Sequence, residues 1–341
     1  MKERSESVEH LVGRRTLLFG MASLLIARTL PARRSAPLAG NAPTMPEEPL
    51  QEWAETSKAI LRENLLGPRS SGRLTPGQVN AVAGAENVAV DGLMVRLLPI
   101  ARRFSRPPIS NFHVGAVALG ASGALYLGAN LEIPGNALNQ TVHAEQSALA
   151  NAFANQERGL EAIAVTDAPC GHCRQFLNEI SDAGRIRIIV EGQKPRTLEE
   201  LLPASFGPRD LGVTTGMLNS PSARMRLVSR AQGAMERAAL EAASRAYAPN
   251  TKAGSGCAVL TRSRRVFAGS YLENAAFNPS LSPLQSALVN LIFAGEDPAS
   301  IRRAVLVEMD GAAISQRAAT EAVLRAVAPE ARFERLLASG A

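Results

Sequence analysis

Cysteine and aromatic residues are scarce in this sequence, and each scarcity excludes a class of protein. Three cysteines in 341 residues are too few for a fold stapled by disulfides. Aromatic side chains make up 4% of the chain, whereas proteins that bind single-stranded nucleic acid commonly stack bases on aromatic rings. Apolar residues make up 46% and charged residues only 20%, so the chain can bury a large core and is expected to fold as two or more domains.

The positive charge of the chain is concentrated at its amino terminus. Of the formal net charge of +6, residues 1–44 supply +4, from seven basic and three acidic side chains. The rest of the chain therefore carries about +2, whereas a nucleic-acid enzyme needs a cationic surface that neutralises several phosphates. We expect a soluble globular protein with no nucleic-acid partner.

The first 44 residues permit two interpretations. An arginine pair at residues 14–15 precedes an uncharged run at 16–27, and this order resembles a twin-arginine export signal. The run is too short to span a bilayer, so no stable membrane insertion is expected. Against export, a second arginine pair follows at residues 33–34, where such signals are usually uncharged. An extension ahead of a start at Met45 explains the segment equally well, so a cytoplasmic protein and a periplasmic one both stay open.

Hydrophobic periodicity predicts an α/β protein with a small helical lead-in. Apolar residues recur at helical spacing in residues 50–64 and 75–104, with a break that contains glycine and proline between them. From residue 93 to 191, strand and helix alternate, as in a layered α/β domain. Strands are predicted at residues 114–119, 123–129, 163–166 and 185–190, and helices are predicted to begin near His143 and Cys170.

The chain also contains an internal repeat. A shift of 141 residues aligns positions that share a residue type: Gly115 with Gly256, Gly128 with Gly269, and residues 131–132 with 272–273. After a shortening of two residues, residues 146–149 match 285–288. Two copies of one fold are therefore predicted. The expected boundaries are 45–92 for the lead-in, 93–192 for the first copy, 193–222 for a connector with several prolines, and 223–341 for the second copy.

The first copy holds a set of side chains suited to zinc. Residues 143–145 are His-Ala-Glu and residues 169–173 are Pro-Cys-Gly-His-Cys, which is the H-x-E and P-C-x-x-C pairing of zinc deaminases. His143, Cys170 and Cys173 would hold one zinc ion per chain. Three ligands leave the fourth tetrahedral position to water, as a catalytic zinc requires.

His172 and Cys257 have less specific interpretations. His172 would close the site as a fourth ligand only by turning back between the two cysteines, which makes a structural zinc the weaker alternative. Cys257 lies in an apolar stretch and is predicted to be a buried thiol in a strand. In the second copy, Ser282 and Leu284 stand where the first copy has its histidine and glutamate, so this copy is expected not to bind the metal.

Glu145 is predicted to move the protons. Zinc with two thiolates and a neutral imidazole has no net charge, so it should acidify water less than a site with three neutral imidazoles. A nearby carboxylate must therefore help: Glu145 would take the proton of the water, deliver it to the ring nitrogen N3 and later protonate the departing ammonia. Taken alone, a glutamate in the first turn of a helix is more often only a favourable partner of the helix dipole.

Substrate class depends on the residues around these motifs. Residues 112–116, 128–132, 140–148, 169–176 and 269–279 together resemble the cytidine deaminase family, and within it the two-domain homodimeric type. The resemblance extends over about residues 50–341. It implies hydrolytic deamination of cytidine and 2′-deoxycytidine to uridine and 2′-deoxyuridine, with release of ammonia, in pyrimidine salvage. It also implies two tandem three-layer α/β/α domains with mixed sheets.

The same resemblance implies how a small-molecule nucleoside is bound. Phe112 would stack on the pyrimidine, and Asn130 and Glu132 would hydrogen-bond the ribose hydroxyls. The backbone N–H of Ala144 and the carbonyl of Ala168 would meet the polar edge of the base. A carboxylate suits a neutral hydroxyl, whereas it would repel a 5′-phosphate or a polynucleotide backbone.

In one place the chain departs from the family, where an aromatic residue and a threonine are more common than Asp167 and Ala168. Asp167 would add negative charge near the site. The second copy would take the place of extra subunits, so a homodimer is expected, with residues 277–279 and the carboxyl-terminal segment supporting a catalytic pocket. Two alternatives remain: a deaminase of RNA or single-stranded DNA, and a non-catalytic zinc-binding module.

Overall fold

The computed structural model describes residues 50–229 and 233–340. The interpretation of residues 1–44 as an export signal or an extension lies outside the described residues. Within the described ranges, no helix is both long enough and apolar enough to cross a membrane.

The four strands and two helices predicted between residues 93 and 191 are present, together with elements that were not predicted. The helices are α1 Glu55–Leu61, α2 Pro76–Glu86, α3 Val90–Arg102, α4 Ala144–Ala154, α5 Gly171–Leu177, α6 Leu198–Leu201, α7 Ala234–Arg245, α8 Pro283–Phe293 and α9 Arg317–Val327. A π-helix, Arg62–Leu66, continues α1, and 3₁₀ turns lie at Leu138–Gln140, Ala183–Arg185, Pro208–Leu211, Met217–Asn219 and Pro298–Ser300. The strands are β1 Arg73–Leu74, β2 Gly115–Gly120, β3 Leu125–Ala129, β4 Leu160–Val165, β5 Arg187–Val190, β6 Arg196–Thr197, β7 Met225–Leu227, β8 Ser255–Thr261, β9 Val266–Ser270, β10 Ile301–Met309 and β11 Arg332–Gly340.

Each copy is built on one mixed sheet. The strand order is β1-β3-β2-β4-β5-β6 in the first copy and β7-β11-β10-β8-β9 in the second. The pairs β4–β5 and β10–β11 are parallel, and the other neighbours pair antiparallel. A parallel pair needs a crossover connection, which contains α5 in the first copy and α9 in the second. The expectation of two tandem α/β domains with mixed sheets is confirmed.

Glycines aligned by the repeat allow helices to lie close on both faces of each sheet. A side chain at Gly115 would collide with the backbone of α3, and one at Gly128 with the backbone of α4. Neighbouring residues of a strand point to opposite faces, and Gly128 pairs with Ala116 across the sheet, so α3 and α4 cover opposite faces. Gly256 and Gly269 have the same relation to α7 and α8. Both copies therefore have three layers.

The helical lead-in is joined to the first sheet. Its strand β1 pairs with β3; this strand was not predicted, because two residues carry no periodicity. The helical region at 75–104 is two helices, since Asn87 adopts a left-handed backbone with φ of 50° and ends α2. Helix α3 begins at Val90 and packs on β2, so it spans the expected boundary at residue 93.

The buried apolar side chains form a continuous core from the lead-in through the first copy into α8. The rings of Phe104 and Phe293, one from each copy, lie 4.9 Å apart. Cys257 is fully buried in β8, which confirms its prediction as a strand thiol, and burial raises the pKa of Cys257 to about 12.

Candidate functional site

Two helix amino termini bring the three predicted metal ligands together. His143 precedes α4 with an extended backbone (φ −83°, ψ 158°), and Cys170 precedes α5 in a similar conformation (φ −70°, ψ 168°). Cys173 lies in the first turn of α5, so the two sulfurs face the same side. His143 Nδ1 lies 3.5 Å from Cys170 Sγ and 3.3 Å from Cys173 Sγ, and the two sulfurs are 3.5 Å apart.

This triangle of donor atoms fits a zinc ion. Tetrahedral zinc, with bonds of about 2.3 Å to sulfur and about 2.0 Å to nitrogen, holds a sulfur and a nitrogen about 3.5 Å apart and two sulfurs about 3.8 Å apart. One observed sulfur–nitrogen separation equals this value, and the other two separations are shorter by about 0.2 to 0.3 Å. Among the described residues, these three side chains form the one group of His, Cys, Asp and Glu close enough to hold a metal ion. Imidazole with two thiolates is also a donor set that suits zinc.

The two thiols differ in how readily they lose a proton. Hydrogen bonds with Cys173 and then with His143 lower the pKa of Cys170 to about 3. The same contact with Cys170, followed by burial, raises the pKa of Cys173. Binding of a cation requires both sulfurs to be deprotonated, because thiol ligands bind as thiolates.

Glu145 lies next to these ligands and is almost entirely buried, with 4% of its surface exposed. Burial raises the pKa of Glu145, because removal from water disfavours the charged form of a carboxyl group. A carboxyl group with a raised pKa can both accept and release a proton near neutral pH.

His172 is close to the three ligands but does not join them. Its ring lies over that of His143, with centroids 5.3 Å apart, and it is not in the group of ligand atoms that converge. Burial, followed by the neighbouring His143, lowers the pKa of His172. The alternative of a closed, four-ligand structural site therefore has no support.

A cavity of about 440 Å³ opens onto the ligands. The five positions expected to contact substrate all line it: Phe112, Asn130, Glu132, Ala144 and Ala168. His143, Glu145 and Cys170 line it as well. A larger cleft of about 540 Å³ lies beside the connector, but none of the described residues that line it is a histidine or a cysteine.

Asn130 fixes the segment that presents Phe112. Its Nδ2 atom donates a hydrogen bond to the Phe112 carbonyl at 2.8 Å, and its Oδ1 atom accepts one from the Val114 N–H at 2.9 Å. Phe112 itself is 54% exposed. An aromatic side chain held in place by a buried amide and left facing the cavity is available to stack on a planar ring.

Glu132 holds the turn that precedes Phe112. Its Oε2 atom accepts hydrogen bonds from the backbone N–H groups of Ile109 and Ser110, and its Oε1 atom accepts one from Ser110 Oγ. Burial raises the pKa of Glu132, but these hydrogen bonds outweigh it, so the net pKa is lowered and the carboxylate is charged. Ser110 was not predicted from the sequence, where its one local signal is the neighbouring Asn111, a residue type that favours turns. In the structure Asn111 adopts a left-handed backbone with φ of 56°.

The segment that contains Ala168 is held from α5. Arg174 Nε donates to the Pro169 carbonyl at 2.8 Å, and Arg174 Nη1 donates to the Leu201 carbonyl at 2.9 Å. No role for Arg174 could be predicted from its neighbours in the sequence, and these contacts make it a support for the turn before Cys170. Asp167 and Ala168 are exposed at the edge of the cavity.

The second copy retains the frame of this site without its chemistry. Ser282 caps α8 by accepting a hydrogen bond from the Gln285 N–H, and Leu284 is fully buried where the first copy has its glutamate. Helix α9, the counterpart of α5, begins at Arg317 and has no cysteine. Glu273 still accepts hydrogen bonds from two successive backbone N–H groups, as Glu132 does.

Comparison with known proteins matches both copies to one family description. Two family models, each described as the cytidine and deoxycytidylate deaminase zinc-binding region, match residues 89–189 and 198–321. The second match covers the copy in which no described group of ligands is found.

Curated relatives match most of the chain. A cytidine deaminase from Pectobacterium atrosepticum is 46% identical over 278 residues, which are 82% of this chain and 93% of the relative. One from Vibrio atlanticus is 44% identical over 273 residues, which are 80% of this chain and 92% of the relative. The crystal structure of a cytidine deaminase from Mycobacterium tuberculosis is 30% identical and covers 34% of this chain and 96% of its own, with a TM-score of 0.32.

Proposed function

The chain belongs to the cytidine deaminase family, and from this membership we propose that it hydrolyses cytidine and 2′-deoxycytidine to uridine and 2′-deoxyuridine with release of ammonia. One observation carries the proposal. A His143, Cys170 and Cys173 group that fits zinc and a buried Glu145 meet at one cavity of about 440 Å³, a volume within the usual range for small-molecule sites. Pyrimidine salvage is the process that this reaction serves.

A zinc ion held by the three side chains supplies Lewis acidity that lowers the pKa of a water molecule. The two thiolates balance the charge of the cation, so the chain must provide the base. Glu145 is that base, because it is the buried carboxylate of the cavity that is not engaged in holding the 109–114 segment.

Glu145 moves both protons of the water. It first accepts one and donates it to N3 of the pyrimidine, which makes C4 electrophilic. Once the C4–O bond has formed, Glu145 passes the second proton to the 4-amino group, the C4–N bond breaks, and ammonia leaves. The water oxygen becomes O4 of uridine, so atoms and protons balance. A pKa raised by burial suits a group that must alternate between acid and base.

The cavity offers the contacts that a nucleoside needs. We propose that Phe112 stacks on the base, while the Ala144 N–H and the Ala168 carbonyl meet its polar edge. Asn130 and Glu132 bind the ribose hydroxyls. Glu132 is a charged carboxylate with hydrogen-bond acceptor capacity beyond the bonds it makes to the turn.

The charge of the lining favours nucleosides over nucleotides and nucleic acids. Glu132, Glu145 and Asp167 face the cavity, and its described lining includes no lysine or arginine. A phosphate or a polynucleotide backbone would meet repulsion there instead of the cationic groups it needs. Deamination of RNA or single-stranded DNA is therefore not favoured.

The remaining organisation is proposed on the same basis. The lead-in is assigned to residues 45–92, the catalytic copy to 93–192, the connector to 193–222 and the second copy to 223–341. A homodimer is supported by exposed apolar side chains, since Leu138 is 73% and Phe277 61% exposed, and sedimentation tests it. The cytoplasm is the proposed location, with export directed by residues 1–44 as the alternative; cell fractionation and mapping of the native amino terminus separate the two.

An absorbance assay of cytidine turnover tests the catalytic proposal. Glu145→Gln should lower the rate by about 10²-fold to 10⁴-fold, because general acid–base catalysis contributes that much. Glu161→Gln, at an exposed carboxylate of β4, is the matched control and should leave the rate unchanged. Zinc near one per chain without turnover of either nucleoside would overturn the proposal and favour a non-catalytic zinc-binding module.

A further inference from the structure

Gln146 links a metal ligand to the second copy. Its side chain is 1% exposed and lies in the first turn of α4. The Oε1 atom accepts a hydrogen bond from the backbone N–H of His143 at 3.1 Å. The Nε2 atom donates one to the carbonyl of Pro279, in the second copy, at 3.0 Å. One amide group therefore holds the backbone of His143 and a loop of the second copy at the same time.

The second copy contains the equivalent arrangement at the position that the repeat aligns with Gln146. Gln285 lies in the first turn of α8, where its Oε1 atom accepts from the Ser282 N–H and its Nε2 atom donates to the Gln140 carbonyl of the first copy, both at 2.9 Å. The repeat thus retains this glutamine although the metal ligand beside it is replaced by serine. Retention of the bridge without the ligand indicates that it joins the two copies.

Helix α5, which follows Cys170 and contains Cys173 in its first turn, is anchored to the second copy at its other end. Glu179, two residues beyond this helix, is fully buried. Its Oε1 atom accepts from Tyr247 Oη and its Oε2 atom from the Ala275 N–H, both at 2.9 Å. Asn274 Nδ2 donates to the Gln175 carbonyl at 2.9 Å. The second copy therefore contacts both helices that present ligands.

We infer that Gln146 is a positioning residue for the metal centre, because it holds the backbone of His143 to the Pro279 loop of the second copy. The inference rests on the zinc site of the proposed function. Neither end of Gln146 touches the metal or the substrate: the residue acts through the backbone of His143. Its amide is suited to the task because it offers an acceptor and a donor on one planar group.

The affinity for zinc depends on how firmly each ligand is held. The His143 donor atom must keep its position relative to two sulfurs on a different helix, so movement of the first turn of α4 would lower the affinity of the site for zinc. Partners that orient a ligand typically contribute 10-fold to 100-fold in metal affinity or activity. The first N–H groups of a helix also lack partners within the helix, so loss of Gln146 leaves the His143 N–H unsatisfied.

Gln146→Met and Gln285→Met form a matched pair of variants of the full chain. Each removes one cap and one bridge between the copies with little change in volume, but only the first touches a ligand-bearing turn. We expect the zinc dissociation constant, measured by chelator competition, to rise about 10-fold to 100-fold in Gln146→Met and to stay near that of the wild type in Gln285→Met. The thermal unfolding temperature of the zinc-free proteins should fall similarly in both.

Two further readouts separate positioning from general stability. In Gln146→Met, kcat should fall while KM changes little, because the Gln146 amide bonds to the His143 N–H and the Pro279 carbonyl and to none of the residues proposed to bind substrate. The absorption bands of the cobalt-substituted protein should shift relative to the wild type, and those of Gln285→Met should not. Equal zinc affinity in Gln146→Met and the wild type, or equal losses in the two variants, would overturn the inference. Absence of zinc from the wild type would instead overturn the proposed function.

A second substitution covers the case in which Gln146→Met does not fold. Gln146→Glu keeps the acceptor for the His143 N–H and replaces the donor to Pro279 by a carboxylate, so it breaks the bridge without removing the cap; its added negative charge favours cation binding and therefore works against the expected loss. Zinc affinity lower than that of Gln285→Glu is the expected result. Equal affinities in these two variants would contradict a role for the bridge.

Discussion

Replacement of Gly128 by alanine is expected to disturb the metal centre through the face of α4 that packs on β3. A methyl group there would collide with the Ala144 carbonyl oxygen, the Ala148 nitrogen and the Ala148 Cβ atom. Two of these are backbone atoms of a packed helix and cannot turn aside as a side chain can. Helix α4 must therefore move away from β3, and it carries Glu145 while His143 caps it.

The size of the effect follows from the packing. An added methyl group in a well-packed interior costs about 1 to 3 kcal/mol through shifts of the backbone. A displacement of about 1 Å at a catalytic group can lower the rate about 10²-fold. We therefore expect Gly128→Ala to lower the free energy of unfolding moderately and to lower kcat by a much larger factor.

The repeat supplies the control. Gly269→Ala produces the same kind of collision, with the Ala287 nitrogen and the Pro283 carbonyl of α8, but α8 presents no ligand. Urea unfolding should show comparable losses of free energy in the two variants, whereas zinc content and kcat should fall in Gly128→Ala alone. Equal kcat values for the two variants would refute the link between this close helix contact and the site.

Two further predictions concern charge. Asp167→Asn removes a carboxylate from the edge of the cavity, so the inhibition constant of cytidine 5′-monophosphate should fall about 3-fold to 10-fold relative to the KM of cytidine at low salt. Asp182→Asn, at an exposed carboxylate outside the cavity lining, is the control. An unchanged inhibition constant in Asp167→Asn would contradict the proposed repulsion. Glu157 accepts hydrogen bonds from Ser122, Tyr126 and the Arg158 N–H; burial raises its pKa, but the hydrogen bonds outweigh this and the net pKa of Glu157 is lowered from 4.5. A lowered folded-state pKa stabilises the protein above the unfolded-state pKa, and this contribution is lost as the pH falls from about 4.5 through the folded-state pKa. Urea unfolding of Glu157→Gln should therefore depend less on pH below about 4.5 than unfolding of the wild type, and parallel pH profiles would show the assignment to be wrong.

The sequence predicts the metal ligands of the site better than it predicts the hydrogen bonds that hold the site in place. His143, Cys170 and Cys173 could be placed together because their motifs put each near a helix start, and the repeat locates the second copy from residue spacing alone. The aligned glycines are a further signal, since Gly115 and Gly128 mark where helices approach the sheet. These features are local or periodic, which is why a single sequence reveals them.

Long-range contacts account for what the sequence did not predict. Gln146 and Pro279 are 133 positions apart, and nothing in either neighbourhood indicates that they meet. Strand β1 has two residues and exists only because it pairs with β3. Ser110 and Arg174 gain their roles from partners supplied by the folded chain. Such residues are polar groups whose hydrogen bonds are decided by tertiary structure rather than by local propensity.

Metal analysis combined with turnover before and after chelation tests the central claim most directly. The purified chain should contain close to one zinc ion, lose cytidine turnover when the ion is removed, and regain it when zinc is restored. Cys170→Ala should bind little zinc and remain inactive after zinc is added. A wild-type protein that turns over cytidine without metal, or a Cys170→Ala variant that keeps the wild-type rate, would contradict the account.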